Sequence, residues 1–118
     1  MDSKNNPILI SEQYFKLSNN RELDKVSNLI LKDAIYSSDN TGLYYGRNDI
    51  MKMMTSFFNN FKTLNWKIND IKQLTEYVVE IDFTLTGEDN NSNTIRKQGT
   101  ERIVVVDNLI KHIEVRNK

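Results

Sequence analysis

Cysteine is absent from this chain of 118 residues, and proline and histidine occur once each. Without cysteine there is no disulfide, no thiolate nucleophile and no thiolate metal site. A lone histidine, His112, excludes a multi-histidine metal centre, and nothing in the sequence calls for a metal or a cofactor. An excess of either charge is also missing, since 16 basic and 16 acidic side chains cancel. That balance argues against a broad nucleic-acid footprint or an anionic membrane surface as partner. No apolar run approaches the roughly 20 residues that a membrane span needs. The opening "MDSKNNPILISEQ" has no basic stretch followed by a long apolar one, so a secretory signal is not expected. Length and composition together predict one domain, soluble and cytoplasmic.

What is present is clear periodicity. "NNP" suits a helix start, with Asn6 as cap and Pro7 at the first helical position, where its missing N–H costs nothing. Ile10, Tyr14 and Leu17, with Phe15 beside them, form one face of an amphipathic helix, which "SNN" at 18–20 breaks. "RELDKVSNLI" predicts a second short helix through Leu23, Val26 and Ile30. A strand around 34–37 follows, and "SDNTG" turns the chain. In "NDIMKMMTSFFNNF", Ile50, Met53, Met54, Phe57, Phe58 and Phe61 make a wide helical stripe, with Asn48 or Asp49 placed to cap it.

After this helix the period falls to two. Leu64, Trp66 and Ile68 alternate, as do Tyr77, Val79, Ile81, Phe83 and Leu85 opposite Glu80, Asp82 and Thr84. "GEDNNSN" at 87–93 reads as a hairpin loop, and "DN" at 107–108 as a tight turn between "QGTERIVVV" and "LIKHIEVR". The order predicts an α+β domain with helices packed on one face of a curved antiparallel sheet.

Three segments, "YFKLSNNRELDKVSNLILKDAIY", "YYGRNDI" and "GTERIVVVDNLIKHIEV", carry a resemblance to the NTF2-like superfamily, in its SnoaL-like and ketosteroid-isomerase-like branch. The first resembles the family's helix, polar break, "D-L-D" (here Glu22-Leu23-Asp24), second helix and strand. The second resembles the Gly-Arg before the third helix, here Gly46-Arg47. The third resembles the final hairpin, with Asp107-Asn108-Leu109-Ile110 in place of a "D-G-K-I" turn. The resemblance runs from about Ser11 to Val115. It implies an α+β cone, a curved antiparallel sheet wrapped over three N-terminal helices, with an apolar pocket at its open end. It further implies a homodimer through the outer sheet face and a hydrophobic small molecule as ligand. Relatives include isomerases, cyclases, dehydratases and epoxide hydrolases, and others that only bind or dimerise, so the fold does not name the reaction.

By the same resemblance Tyr14 falls on the position of an oxyanion-holding tyrosine and Glu101 on that of a late-strand acid. The base position falls on Ser38, beside Asp39. Each assignment has a plainer rival. Tyr14 is equally a core aromatic. Glu101 points inward only if the strand register does not slip by one, which would turn Arg102 inward instead. A serine without a histidine is a poor base. Asp39 is a base only if the chain bends; otherwise it is a turn residue in "SSDNTG". Phe15, Met53, Phe57, Trp66, Ile103, Val105 and Ile113, with Met54 and Phe58, are candidate walls of the pocket, or ordinary core. His112 alternates with Ile113 and is expected on the outer face. Two functions remain: proton transfer beside the carbonyl of an apolar compound, in the manner of an isomerase or cyclase, or a non-catalytic binding or dimerisation module.

Overall fold

The computed structural model describes residues 4–118. Three helices and six strands follow in the order α1 (Pro7–Asn19), α2 (Leu23–Asn28), β1 (Ile30–Ser38), β2 (Gly42–Tyr45), α3 (Arg47–Asn59), β3 (Phe61–Gln73), β4 (Val78–Asp89), β5 (Thr94–Val106) and β6 (Leu109–Asn117). No helix among the described residues is long and apolar enough to cross a membrane.

The helices start where local chemistry favours it. Asn6 accepts the Leu9 N–H on its side chain at 3.1 Å, with Pro7 at the first helical position. α1 then buries Ile10, Tyr14 and Phe15, and also Ser11 and Ser18. α3 is capped differently from the expectation: neither Asn48 nor Asp49 caps it. Gly46 holds that place with φ of 86°, a backbone conformation that strains any residue carrying a Cβ. Its N–H donates to the Ala34 carbonyl at 2.7 Å, which fixes the helix start against β1. Asp49 lies in the first turn, where its charge complements the helix dipole.

The strands pair in the order β2-β1-β6-β5-β4-β3, a six-stranded open sheet with bulges in β3 and between β5 and β6. Two features of the expected architecture need correction. The sheet is mixed, because β1 runs parallel to β6 while the other neighbours are antiparallel. These two strands lie at opposite ends of the sequence, and the long intervening chain supplies the crossover that parallel pairing requires. The helices are not all N-terminal to the sheet either, since α3 follows β1 and β2. The predicted second helix also stops at Asn28, and Ile30 opens β1 instead.

The inward sheet face carries Ala34 on β1, Val79, Ile81, Phe83 and Leu85 on β4, Ile103 and Val105 on β5, and Ile110, Ile113 and Val115 on β6. All are buried under the helices. At one end the packing is tight. Asn5 Nδ2 donates to the Val105 carbonyl at 2.7 Å, and its Oδ1 accepts the Asn108 N–H at 3.0 Å. The first turn of α1 is therefore tied over the β5–β6 turn, where Asp107 and Asn108 have φ of 52° and 61°. At its other end α1 is tied to β3: Asn19 accepts the Trp66 N–H at 2.7 Å and donates to the Trp66 carbonyl at 2.9 Å. Between these two ties α1 lies across the sheet, and the space left open is beneath its last turns.

Candidate functional site

That space is a cavity of about 70 Å³, room for several water molecules. Its deep walls are apolar. α1 contributes Phe15, α3 contributes Met53, Met54, Phe57 and Phe58, and the sheet contributes Trp66, Phe83 and Leu85. The aromatic rings lean on one another: Phe57 and Phe58 lie 6.4 and 5.5 Å from Trp66, and Phe15 meets Phe83 edge-on at 6.3 Å. Such contacts hold wide, flat walls in fixed positions. Gly99 opposes Phe83 in the sheet, and a Cβ there would stand 2.6 Å from that ring. The bare glycine is what lets the ring lie down over β5.

One polar cluster faces this apolar chamber. Glu101 is 4% exposed, and its Oε2 has no hydrogen-bond partner among the described residues. Register explains its direction. Arg102, one residue on, donates to Glu80 at 2.9 Å on the outer face, so Glu101 must point inward. Burial pushes its carboxyl from 4.5 up to about 8, because the interior disfavours the charged form. At neutral pH Glu101 is then mostly a neutral acid, able to donate a proton in a hydrogen bond.

Two phenols converge on it. Tyr14, 8% exposed on α1, is held well above the ordinary tyrosine range, first by burial and then by the neighbouring Glu101 and Tyr36. Tyr36 on β1 is raised too, by burial and then by Glu101. Both phenols therefore stay protonated and serve as donors. The Thr41 hydroxyl at the same cavity is likewise buried without a partner. Two protonated phenols, the Thr41 hydroxyl and an unpaired carboxyl oxygen at one largely apolar cavity make a setting for an oxygen atom supplied from outside.

Of the residues expected from the sequence, Tyr14, Glu101, Phe15, Met53, Phe57 and Trp66 line the cavity together. Ile103, Val105 and Ile113 do not. They are buried toward the closed end, beside the first turns of α1. Asp39 is exposed and outside the lining; its N–H donates to the Val115 carbonyl at 3.1 Å and its carboxylate accepts the Asn117 N–H at 3.0 Å. Asp39 extends the β1–β6 ladder by one side-chain bond, which holds it away from the chamber. Ser38 does face the cavity, sharing a sheet row with Val115 and Glu101, and its hydroxyl accepts the Asn40 N–H at 3.1 Å. His112 lies on the outer face opposite Val104.

Tyr36 escaped the sequence reading, although a signal for it existed. Once Ala34 is inward, strand alternation places Tyr36 and Ser38 on the same face. Thr41 and Lys97 were missed because each lies where no apolar alternation marks a face. Among the described residues no group of three or more acidic or histidine side chains stands together to hold a metal.

Comparison with known proteins follows the same line. No curated protein matches the sequence. Among solved structures, a candidate polyketide cyclase of Xanthomonas campestris matches with TM-score 0.80 and 14% identity, over 95% of this chain and 90% of that one. An LEH-like epoxide hydrolase of Mycobacterium tuberculosis matches with TM-score 0.83 and 14% identity, over 95% and 82%. A second Mycobacterium tuberculosis protein, in complex with estradiol-17β-hemisuccinate, matches with TM-score 0.81 and 12% identity, over 92% and 91%. At such identities the likeness is one of fold. The SnoaL-like domain model matches residues 11–113, nearly the whole chain, and this protein belongs to that family, within the NTF2-like superfamily.

Proposed function

We propose that the cavity receives a small apolar carbonyl compound and polarises its oxygen for an isomerase- or cyclase-like proton transfer. The observation that carries this reading is the buried, unpartnered Glu101 carboxyl, neutral at physiological pH, among two protonated phenols and apolar walls. Donors fixed in a dry site stabilise charge that grows on an oxygen only as the reaction proceeds. A neighbour of the same fold holds estradiol-17β-hemisuccinate, and another is named as an epoxide hydrolase, which is consistent with an apolar small molecule in this one. The same reading includes a homodimer through the outer sheet face and a cytoplasmic location, both in keeping with the family resemblance and the cysteine-free composition.

A second reading has one specific observation in its favour. Among the described residues Glu101 is the only carboxyl lining the cavity, and Asp39 is engaged with Asn117 outside it. A site that holds an oxygen but has no second group to take a carbon proton is a binding site. Deuterium incorporation beside the ketone of 2-decanone in heavy water separates the two. Catalysed exchange that drops at least about tenfold in both Tyr14→Phe and Glu101→Gln supports catalysis. Binding seen by quenching of Trp66, the sole tryptophan, with no exchange above buffer, leaves the binding module. Neither binding nor exchange by any small ketone would sink the carbonyl reading.

A further inference from the structure

The mouth of the cavity differs from its interior, and its chemistry narrows the ligand. Asn40, Lys97, Gln98 and Asn117 line this end and are exposed. Among the described residues Lys97 is the one cationic side chain in the lining. It stands on the same face of β5 as Glu101, four residues earlier, with Gly99 between them beneath the Phe83 ring. From this position it reaches over β6 to the turn after β1, where its Nζ meets Asn40 Oδ1 at 3.5 Å. The same Asn40 oxygen already accepts from Asn117 Nδ2 at 3.0 Å. Lys97 thus has a long bond to a shared, neutral acceptor. No carboxylate among the described residues lies within ion-pair distance of it, and the acid closest in sequence to this turn, Asp39, is bonded to the Asn117 N–H.

We propose that Lys97 is an anion-recognition residue at the cavity mouth, and that the ligand is an apolar molecule with an acceptor oxygen at its buried end and an acidic group at the other. The inference rests on the carbonyl reading above and specifies its substrate class. Four residues of strand separate the two anchoring positions by about 13 Å, which sets the length of the molecule to about 10 Å or slightly more. The acidic group would replace Asn40 as the partner of the Lys97 ammonium, exchanging a long bond to a neutral amide for an ion pair. The apolar stretch between the ends would lie along the Phe83 ring, which covers Gly99.

The test uses 9-oxodecanoate and its methyl ester, which share a ketone and chain and differ only in the charge at the far end. Quenching of Trp66 in the intact protein reports binding of each. The expected result is that the acid binds about fivefold more tightly than the ester at low salt, the size of a partly exposed ion pair. That ratio falls toward unity at high salt and in Lys97→Gln, and Lys97→Arg restores it. Equal binding of acid and ester, or a preference that survives in Lys97→Gln, overturns the anion site while ester binding leaves the carbonyl reading intact. Failure of both compounds to bind removes both ideas together.

Discussion

Burial of Glu101 couples folding to pH. Its carboxyl is raised by burial from 4.5 to about 8, so between those values the folded protein holds a proton that the unfolded chain has released. Stability contributed by the protonated form is complete below the lower value and is lost as pH rises toward the upper one. The slope is about 1.4 kcal/mol per pH unit, and the sum across the window is on the order of 3–5 kcal/mol. Glu101→Gln removes the titration while keeping shape and a donor. Urea unfolding from about pH 5 to about pH 8 should show a declining midpoint for the native chain and a nearly flat one for the variant. The same decline in both would mean that other groups set the pH dependence. Sequence alone could not fix this residue's direction, because "TERIVVV" alternates acceptably in either register; the Arg102–Glu80 pair on the outer face decides it. Asp39 illustrates the opposite limit. Its turn setting was visible in "SSDNTG", but its bond to Asn117 joins residues far apart in the chain and no local pattern announces it.

At the scale of elements, the stripe in α3 and the alternation in β4, β5 and β6 were legible because packing against one face imposes a period on the sequence. β2 was not. Its four residues, "GLYY", lie mostly exposed at the sheet margin, and no apolar alternation marks them. The parallel pairing of β1 with β6 was equally hidden, since it is a property of chain path and not of either strand. The joint between α1 and β3 belongs here too. Asn19 satisfies both backbone groups of Trp66 from the end of the helix that carries Tyr14. Asn19→Ala should cost about 1–3 kcal/mol through the loss of two bonds to partly buried groups, measured by chemical unfolding. It should also weaken 2-decanone binding, as the last turns of α1 form the roof of the cavity. A variant as stable as the parent would show that water replaces the amide without loss.

Across the whole molecule the two faces of the sheet are built for different surroundings. The outer face has a row of Ile35, His112, Val104 and Val78, beside a row in which Glu114, Arg102 and Glu80 lie side by side. Arg102 pairs with Glu80, and Arg116 with Glu114 at 3.3 Å. A partly apolar row flanked by charges of both signs suits a self-complementary contact between two copies. In the proposed dimer, Val104→Glu would bring like charges together near the two-fold axis. Sedimentation equilibrium should then find a dimer for the native chain and a monomer for the variant. A native monomer at high protein concentration would dismiss the outer face as an interface. The lateral margins of the sheet pose a separate problem, for a strand with a neighbour on one side only carries unpaired groups that can recruit a foreign strand. β2 ends one margin and is only four residues long. β3 ends the other and runs for 13 residues, long enough to template growth. The Asn19 amide sits on that margin at Trp66 and imitates one residue of a missing seventh strand. It interrupts the open edge of β3 at that one residue, so the side chain that secures the cavity roof also caps part of the sheet margin.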